Sequence, residues 1–316
     1  MIKCFEHQTY PKDRIEWVIV DDGTDPIGDL VSHIPQVKYY YVPEKMNLGK
    51  KRNYMHEKCT GDIIVYMDDD DYYPPERISH AVETLKENPK YLVAGSSEMH
   101  IYFDSRNKVY QFGPYAENHA TAATFAFRKE LLKMTGYVND ALLAEEKHFL
   151  KDYSIPLKQL DTSKTILVFS HKHNTLNKDR FLENPNTTIV KESRFTIDDF
   201  VKDPELKKFY MTDMNTLLEN YEPGRPENKP KLMEQIKIME EERQKRFEDH
   251  AKMLEARQKL MNTFQGNVIS QQEFDAMRSH YEKQLSDKNY LINELLRKTK
   301  DLTVELNNLK KDILQS

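Results

Sequence analysis

The chain has 316 residues and a mass of 37.5 kDa, enough for one sizeable core plus an appendage, but 31% charged residues and a mean hydropathy of -0.79 exclude a single compact globule. A formal net charge of -5, with no basic block interleaved with aromatics, argues against a nucleic-acid partner, and no apolar run nears the roughly 18–20 residues of a transmembrane segment. Cys4 and Cys59 are too few for a disulfide framework, and MIKCFEHQTYP has no signal-peptide layout, so a cytoplasmic protein is expected.

In chain order, the first two hundred residues alternate short β-branched runs with helical patterns, the sign of an α/β sheet. IEWVIV (Ile15–Val20) runs into DDGTD, VKYYYV (Val37–Val42) into PEKMNLG, and DIIVYM (Asp62–Met67) into four consecutive aspartates, Asp68 to Asp71. Ligands of open α/β sheets gather at the carboxyl ends of strands, which sets Asp21, Asp22 and Asp68 to Asp71 on one rim. NLGKKRNYMHEKC is compatible with a helix after Gly49, and PPERISHAVETLKENP predicts a helix with proline in its first turn and Ile78, Val82 and Leu85 on one face. The strand YLVAGSS follows, then ATFAFRKELLKMTG and ALLAEEKHFLKDY as strand or loop running into helix, and the apolar strand TILVFS (Thr165–Ser170) leading into HKHNT.

A globular domain is expected over 1–220. The segment 221–231, YEPGRPENKPK, reads as a proline-rich linker, and 232–316 contains no proline after it and reads as helical. Its first arm, to Phe264, is a solvated helix or the weaker arm of a hairpin, with a break at QGNVISQ around Gly266. At about 281–314, Leu285, Lys288, Ile292, Leu295, Thr299, Leu302, Leu306, Leu309 and Ile313 recur in steps of four and three, the seam of a coiled coil that would make the chain a homo-oligomer, taken here as a dimer.

Four adjacent anions repel one another, so folding does not ask for IIVYMDDDDYYPP. One reading is a metal site for a diphosphate, since hard oxygen ligands suit Mg2+ or Mn2+ and leave positions for phosphate oxygens. The EF-hand spacing of a calcium loop is absent. A solvated acidic turn fits poorly between an apolar strand and the turn-forming YYPP. VIVDDGTD also invites comparison with haloacid-dehalogenase-type phosphatases, but the position two before Asp22, where their nucleophile stands, is Val20.

HQTYPKDRIEWVIVDDGTD, NLGKKRN and IIVYMDDDDYYPP, in this order and spacing, resemble the nucleotide-sugar-binding half of a family 2 glycosyltransferase of the GT-A fold, over roughly residues 1–174. The resemblance implies a Rossmann-like mixed sheet and a role for Asp21 or Asp22 at the base of a donor nucleotide. It also implies a donor-binding pattern at Asn47, Gly49, Arg52 and Asn53, and a metal-binding DXD at Asp68 and Asp70, with Asp69 and Asp71 as alternatives because the run is ambiguous by one register. Glu145 and Glu146 resemble the acidic pair whose second member is the catalytic base, although acidic residues are also favoured at any helix start. His171 or His173 matches a metal-ligating or diphosphate-contacting histidine, and His119 falls in a loop expected to line the acceptor site.

Implied together are Mn2+ or Mg2+ as cofactor, a nucleotide sugar (UDP-sugar by analogy) as donor, and a hydroxyl of a glycan or glycoconjugate as acceptor. No second catalytic acid is needed, because the metal neutralises the leaving diphosphate while one carboxylate deprotonates the acceptor, and attack from the opposite face inverts the anomeric carbon. The family ordinarily opens with a strand and turn forming one wall of the nucleotide pocket, and no such segment precedes MIKCFEHQTYP. The alternative is therefore an N-terminally truncated, weakly active or inactive glycosyltransferase-like scaffold whose coiled coil is the working part.

Overall fold

The computed structural model describes residues 1–143, 146–174, 177–183, 185–264 and 271–315. The chain forms two compact units, Met1–Ile238 and Met239–Ser316.

The first unit opens with α1 (Ile2–Glu6), whose Cys4 and Phe5 are buried, followed by β1 (Trp17–Asp21), α2 (Gly28–Val31) and β2 (Val37–Tyr41). β1 and β2 pair in parallel, with Trp17 opposite Val37 and Asp21 opposite Tyr41. Next come α3 (Leu48–Lys58), β3 (Ile63–Val65), α4 (Arg77–Glu87) and β4 (Val93–Gly95). α4 buries Ile78, Val82 and Leu85 as its periodicity predicts, together with Ala81.

β5 (Met99–Phe103) and β6 (Lys108–Phe112) form an antiparallel hairpin that the sequence reading did not single out. Its turn is closed by Asn107 in the left-handed region (φ 48°), and the Asn107 amide oxygen accepts a hydrogen bond from Tyr102 Oη at 3.0 Å. β7 (Ala126–Arg128) runs into a 3-10 turn, Lys129–Lys133, rather than an α-helix. α5 (Glu146–Phe149), β8 (Leu157–Gln159), β9 (Leu167–Ser170) and β10 (Val190–Glu192) follow. The unit continues with α6 (Ile197–Phe200), α7 (Pro204–Lys208), a π-helical turn Phe209–Asp213, and α8 (Met214–Leu218).

Among the described residues, besides the β1–β2 pair, there are two four-stranded mixed sheets, ordered β3-β7-β4-β8 and β10-β6-β5-β9. Each carries its own core. Phe125, Phe127, Phe149 and Leu131 pack on the first, and Phe103, Phe169, Tyr102 and Tyr210 on the second. The chain passes from one to the other between β4 and β5, between β6 and β7 and between β8 and β9, and Tyr72, beyond β3, makes an antiparallel bridge to Leu167 of β9. That bridge brings the aspartates after β3 to the end of β9.

The segment 221–231, expected as a linker, lies within the first unit. α9 (Pro230–Phe264) and α10 (Gln271–Gln315) account for the remainder, and 265–270, where the break was expected, lie outside the described residues. Of the expected seam, Leu285, Ile292, Leu295 and Leu302 are each more than half exposed, whereas the side chains of Leu306, Leu309 and Ile313 are outside the described set.

Two histidines are structural. His56 on α3 packs among Tyr66, Phe127, Tyr137 and Phe149, and His100 on β5 lies between Phe195 and Phe200 with Nδ1 2.9 Å from Ser193 Oγ. Burial pushes both imidazoles down from 6.5 to about 4. A histidine held neutral binds fewer protons folded than unfolded, so its stabilisation is complete above about pH 6.5 and is lost as pH falls towards 4. The unfolding free energy of the wild type minus that of a His100→Gln chain should therefore shrink by about 1–2 kcal/mol between pH 8 and pH 5, measured by urea denaturation. A difference independent of pH would mean that His100 titrates normally in the folded protein.

Candidate active site

The aspartates that follow β1 and β3 were expected on one rim; β1 and β3 belong to different sheets, and their aspartates divide between holding their own loops and reaching neighbouring elements. Asp21 is committed to its own loop: Oδ1 accepts the Gly23 N–H at 2.8 Å, and Oδ2 accepts the Ile27 N–H at 3.0 Å and the Tyr39 hydroxyl at 2.7 Å. Burial opposes its charge, but these donors keep it below the usual carboxylate range, while burial and the Asp21 charge push Tyr39 up to about 12. Asp22 is buried and reaches the other way. It accepts hydrogen bonds from Lys51 Nζ, from Lys45 Nζ at 3.0 Å, and from the Met46 N–H at 2.9 Å. Despite burial, these donors hold its carboxyl below the ordinary value. The end of β1 is thus tied to the loop after β2.

NLGKKRN has two jobs. Asn47 is the N-cap residue of α3, and its carbonyl accepts the Lys51 N–H at 2.9 Å. Gly49, Arg52 and Asn53 instead face the segment that leads to α5. Gly49 N–H donates to Ala141 O at 3.0 Å, and a Cβ at Gly49 would stand 1.9 Å from Val138 O, so no other residue fits there. The Arg52 guanidinium lies over the rings of Tyr66 (4.7 Å) and Tyr137 (5.5 Å). The Asn53 amide donates to Tyr137 O and to Asn139 Oδ1, each at 2.8 Å, and accepts the Tyr137 N–H at 3.0 Å.

The four aspartates also divide. Asp68 is half-buried, with its N–H donating to Tyr73 Oη at 2.8 Å, and Asp69 is exposed. Asp71 turns inward. Its Oδ1 accepts the Phe169 N–H at 3.2 Å, its carbonyl accepts the Tyr210 hydroxyl at 2.8 Å, and burial together with the Asp70 charge raises its pKa well above the usual range. Asp70 faces the end of β9, with Oδ2 3.2 Å from His171 Nε2 and 3.4 Å from Asn174 Nδ2. Asn174 Nδ2 is in turn 2.8 Å from His171 Nε2, and His171 Nδ1 accepts the His173 N–H at 3.2 Å. Although enclosure works against it, the His171 hydrogen bond and the Lys178 ammonium hold Asp70 below the usual range. Burial lowers Lys178 in its turn, against the pull of Asp71, Asp70 and Asp68. His173 turns away from this group: its Nε2 is 3.2 Å from Leu218 O and its ring stacks on Tyr221.

Asn174 and Lys178 were not singled out in the sequence. Their signal is the polar run HNTLNK directly after a buried strand, the same kind of position that drew attention to the histidines.

Among the described residues no group of three or more His, Cys, Asp and Glu is arranged to hold a metal ion. Asp70 Oδ2 and His171 Nε2 are spaced like two adjacent ligands of an octahedral ion, although His171 Nδ1 accepts the His173 N–H, so Nε2 would have to give up its proton to Nδ1 before it could ligate. At bond lengths of about 2.1 Å neighbouring ligands stand about 3 Å apart, close to the 3.2 Å observed. Mg2+ commonly takes only one or two protein ligands and completes its shell with substrate phosphates and water.

Glu146 is the first residue of α5, which Phe149 anchors by stacking on Tyr137 at 4.5 Å between ring centroids. Glu145 lies outside the described residues. His119 sits between the rings of Tyr115 (4.8 Å) and Tyr153 (5.0 Å). Tyr153 ends a run of three residues, with Lys151 and Asp152, at φ between 50° and 59°, directly after α5. Non-glycine residues at positive φ are costly and concentrate near functional sites.

Among proteins of known sequence, this chain is 23% identical over 185 residues to an uncharacterized glycosyltransferase of Haemophilus influenzae, covering 54% of this chain and 69% of that protein. It is 25% identical over 176 residues to the amylovoran biosynthesis glycosyltransferase AmsE of Erwinia amylovora, covering 50% of this chain and 61% of that protein. Among solved structures it is similar to S. aureus TarS 1-349 in complex with UDP-GlcNAc (20% identity, TM-score 0.39, 54% of this chain and 53% of that one). It is also similar to the mannosyltransferase PcManGT of Pyrobaculum calidifontis in complex with GDP-Man and Mn2+ (18%, TM-score 0.43, 55% and 53%). The chain thus spans about half the length of these two solved chains. Residues 1–144, which include both aspartate motifs and NLGKKRN, match the family model described as Glycosyl transferase family 2.

Proposed function

We propose that the protein is a cytoplasmic inverting glycosyltransferase of the GT-A fold that moves a sugar from a nucleoside diphosphate donor, taken as a UDP-sugar, to a hydroxyl of a glycan or glycoconjugate. The observation that carries this reading is the convergence of Asp70, His171 and Asn174 at the ends of β3 and β9, and the pairing of Asp22 after β1 with Lys45 and Lys51 supports it. The two free cysteines fit a reducing compartment.

In this reading the loop organised by Asp21 and the Asp22–lysine cluster hold the nucleoside side of the donor. Asp70 and His171 would hold Mn2+ or Mg2+, with Asp68 and Asp69 beside them, and Lys178 adds positive charge on the diphosphate side. The bound ion would neutralise the charge that develops on the departing diphosphate. Glu146 takes the proton of the acceptor hydroxyl, and Gly49, Arg52 and Asn53 set its position through the 137–141 segment. His119, with Tyr115 and Tyr153, lines the acceptor side. The exposed leucine and isoleucine seam of α10 supports self-association with a second copy of this chain as a coiled coil.

A second reading, a weakly active or inactive domain serving as a scaffold, is favoured by one observation: among the described residues β1 pairs only with β2 and β3 only with β7, which leaves one edge of each unpaired. Calorimetric titration with UDP and GDP, with and without Mn2+, decides between the two. Metal-dependent binding of one nucleotide supports the enzyme, and binding of neither supports the scaffold.

Asp70→Ala is expected to abolish metal-dependent transfer, by 100-fold or more on the order of magnitude for lost electrostatic stabilisation, with the unfolding midpoint nearly unchanged. Unchanged turnover at saturating Mn2+ would remove Asp70 from the site. Glu146→Gln should keep nucleotide affinity within about twofold and lower kcat by about 100- to 10,000-fold. If transfer survives it and is lost instead in Glu145→Gln, the base is the neighbouring residue. Ile292→Glu combined with Leu295→Glu should reduce the mass measured by light scattering from oligomer to monomer, and an unaltered mass would rule out the seam.

A further inference from the structure

The proline-rich segment between α8 and α9 is folded back on itself and reaches the candidate donor site. Arg225 organises it: Nε donates to Tyr221 O at 3.1 Å, Nη2 to Glu219 O at 2.9 Å, and Nη1 pairs with Glu222 Oε1 at 2.8 Å. Asn228 Nδ2 donates to Glu222 O at 2.9 Å, and Gly224 turns the chain at φ +80°, a conformation that favours glycine. A flexible spacer would not close such a set of internal bonds.

The segment is anchored at both ends. Tyr221 Oη donates to Asp25 Oδ2 at 2.8 Å, in the loop after β1 that Asp21 organises. The Tyr221 ring stacks on His173, with centroids 6.1 Å apart, in the loop after β9 that carries His171. On the far side Leu232 and Ile236 are buried in the first unit. Tyr221 therefore touches both loops that border the site, one on the nucleoside side and one on the metal side.

Lys229 ends the segment. Its ammonium is partly enclosed and lies in the fields of Lys45 and Lys51 and of Asp69 and Asp70; burial and the two lysines lower its pKa. Lys45 and Lys51 already share the single carboxylate of Asp22. Lys229 thus adds a third ammonium to surroundings shared by the Lys45–Lys51 pair and the carboxylates of Asp69 and Asp70, and a diphosphate brought in with a divalent ion on the aspartates would meet all three cations.

We propose that residues 219–229 form a strap across the donor site, latched by the contact between Tyr221 and Asp25, that adds Lys229 to the cations facing the diphosphate of a nucleoside diphosphate. This rests on the reading of the rim as a donor site. The latch is one hydrogen bond from a partly exposed tyrosine to a carboxylate, weak enough for the strap to open and reclose as nucleotide is exchanged.

The test combines hydrogen exchange with calorimetry on the full chain, using UDP and GDP in turn with Mn2+. Tyr221→Phe, which keeps the ring and removes the hydroxyl, should speed amide exchange within 219–229 several-fold in the nucleotide-free protein and leave β5 and β9 unaffected. Saturating nucleotide should slow exchange in 219–229 of the wild type. Lys229→Gln should weaken nucleotide binding about tenfold, the order expected for one charged hydrogen bond. If the wild type binds a nucleotide but the strap's exchange responds neither to it nor to Tyr221→Phe, or if Lys229→Gln binds as tightly as the wild type, the strap proposal is overturned and the donor site stands. If the wild type binds neither nucleotide, the donor-site reading and the strap fall together.

Discussion

Two backbone hydrogen bonds between Tyr72 and Leu167, at 2.9 and 3.1 Å, join the aspartate run to the strand that ends before His171. The rest of the site depends on this bridge. β3 and β9 belong to different sheets, and nothing in their own pairing would bring Asp70 and His171 together. Asp71 reinforces the bridge by accepting the Phe169 N–H, and Tyr210 and Tyr73 bind the backbone on either side of the run through Asp71 O and the Asp68 N–H. One of the four carboxylates is thus spent on structure, in a buried position where the neutral acid is favoured. Mutual repulsion in the run is eased accordingly.

The second organising contact is the close approach of α3 to the 138–141 segment. Because Gly49 has no side chain, the first turn of the helix meets the backbone at Val138 and Ala141, and Asn53 fastens the same segment at Tyr137 and Asn139. Through Lys51 the same helix holds Asp22. One helix therefore sets the distance between the loop after β1 and the segment that precedes α5. Its motif reads in sequence as one pattern, but in space it fastens both Asp22 and the 137–141 segment.

Much of this was legible beforehand for a physical reason. Strands that run apolar and then acidic, a glycine at a helix start and a three- to four-residue apolar period are local features, and local features survive in a single sequence. The buried face of α4 and the acidic ends of β1 and β3 follow from them. The β5–β6 hairpin was missed because its turn, DSRN, contains no glycine or proline and is made by Asn107 at positive φ. Asn174 and Lys178 were missed because their one local signal, a polar run after a buried strand, does not tell them from the other residues of that run. Only the bridge at Tyr72 gives their position meaning.

What the sequence by itself determined is the order of the elements, the glycosyltransferase-like motifs and which strand ends carry charge, since each of these depends on residues within a few positions of one another. The tertiary structure alone decided which aspartate faces His171 and which is buried, and that NLGKKRN braces the segment before Glu146. It also decided that a proline-rich stretch read as a linker folds back onto Asp25 and His173. Each of those outcomes turns on contacts between residues tens to two hundred positions apart, whose geometry is set by packing between sheets and leaves no periodic trace in the chain.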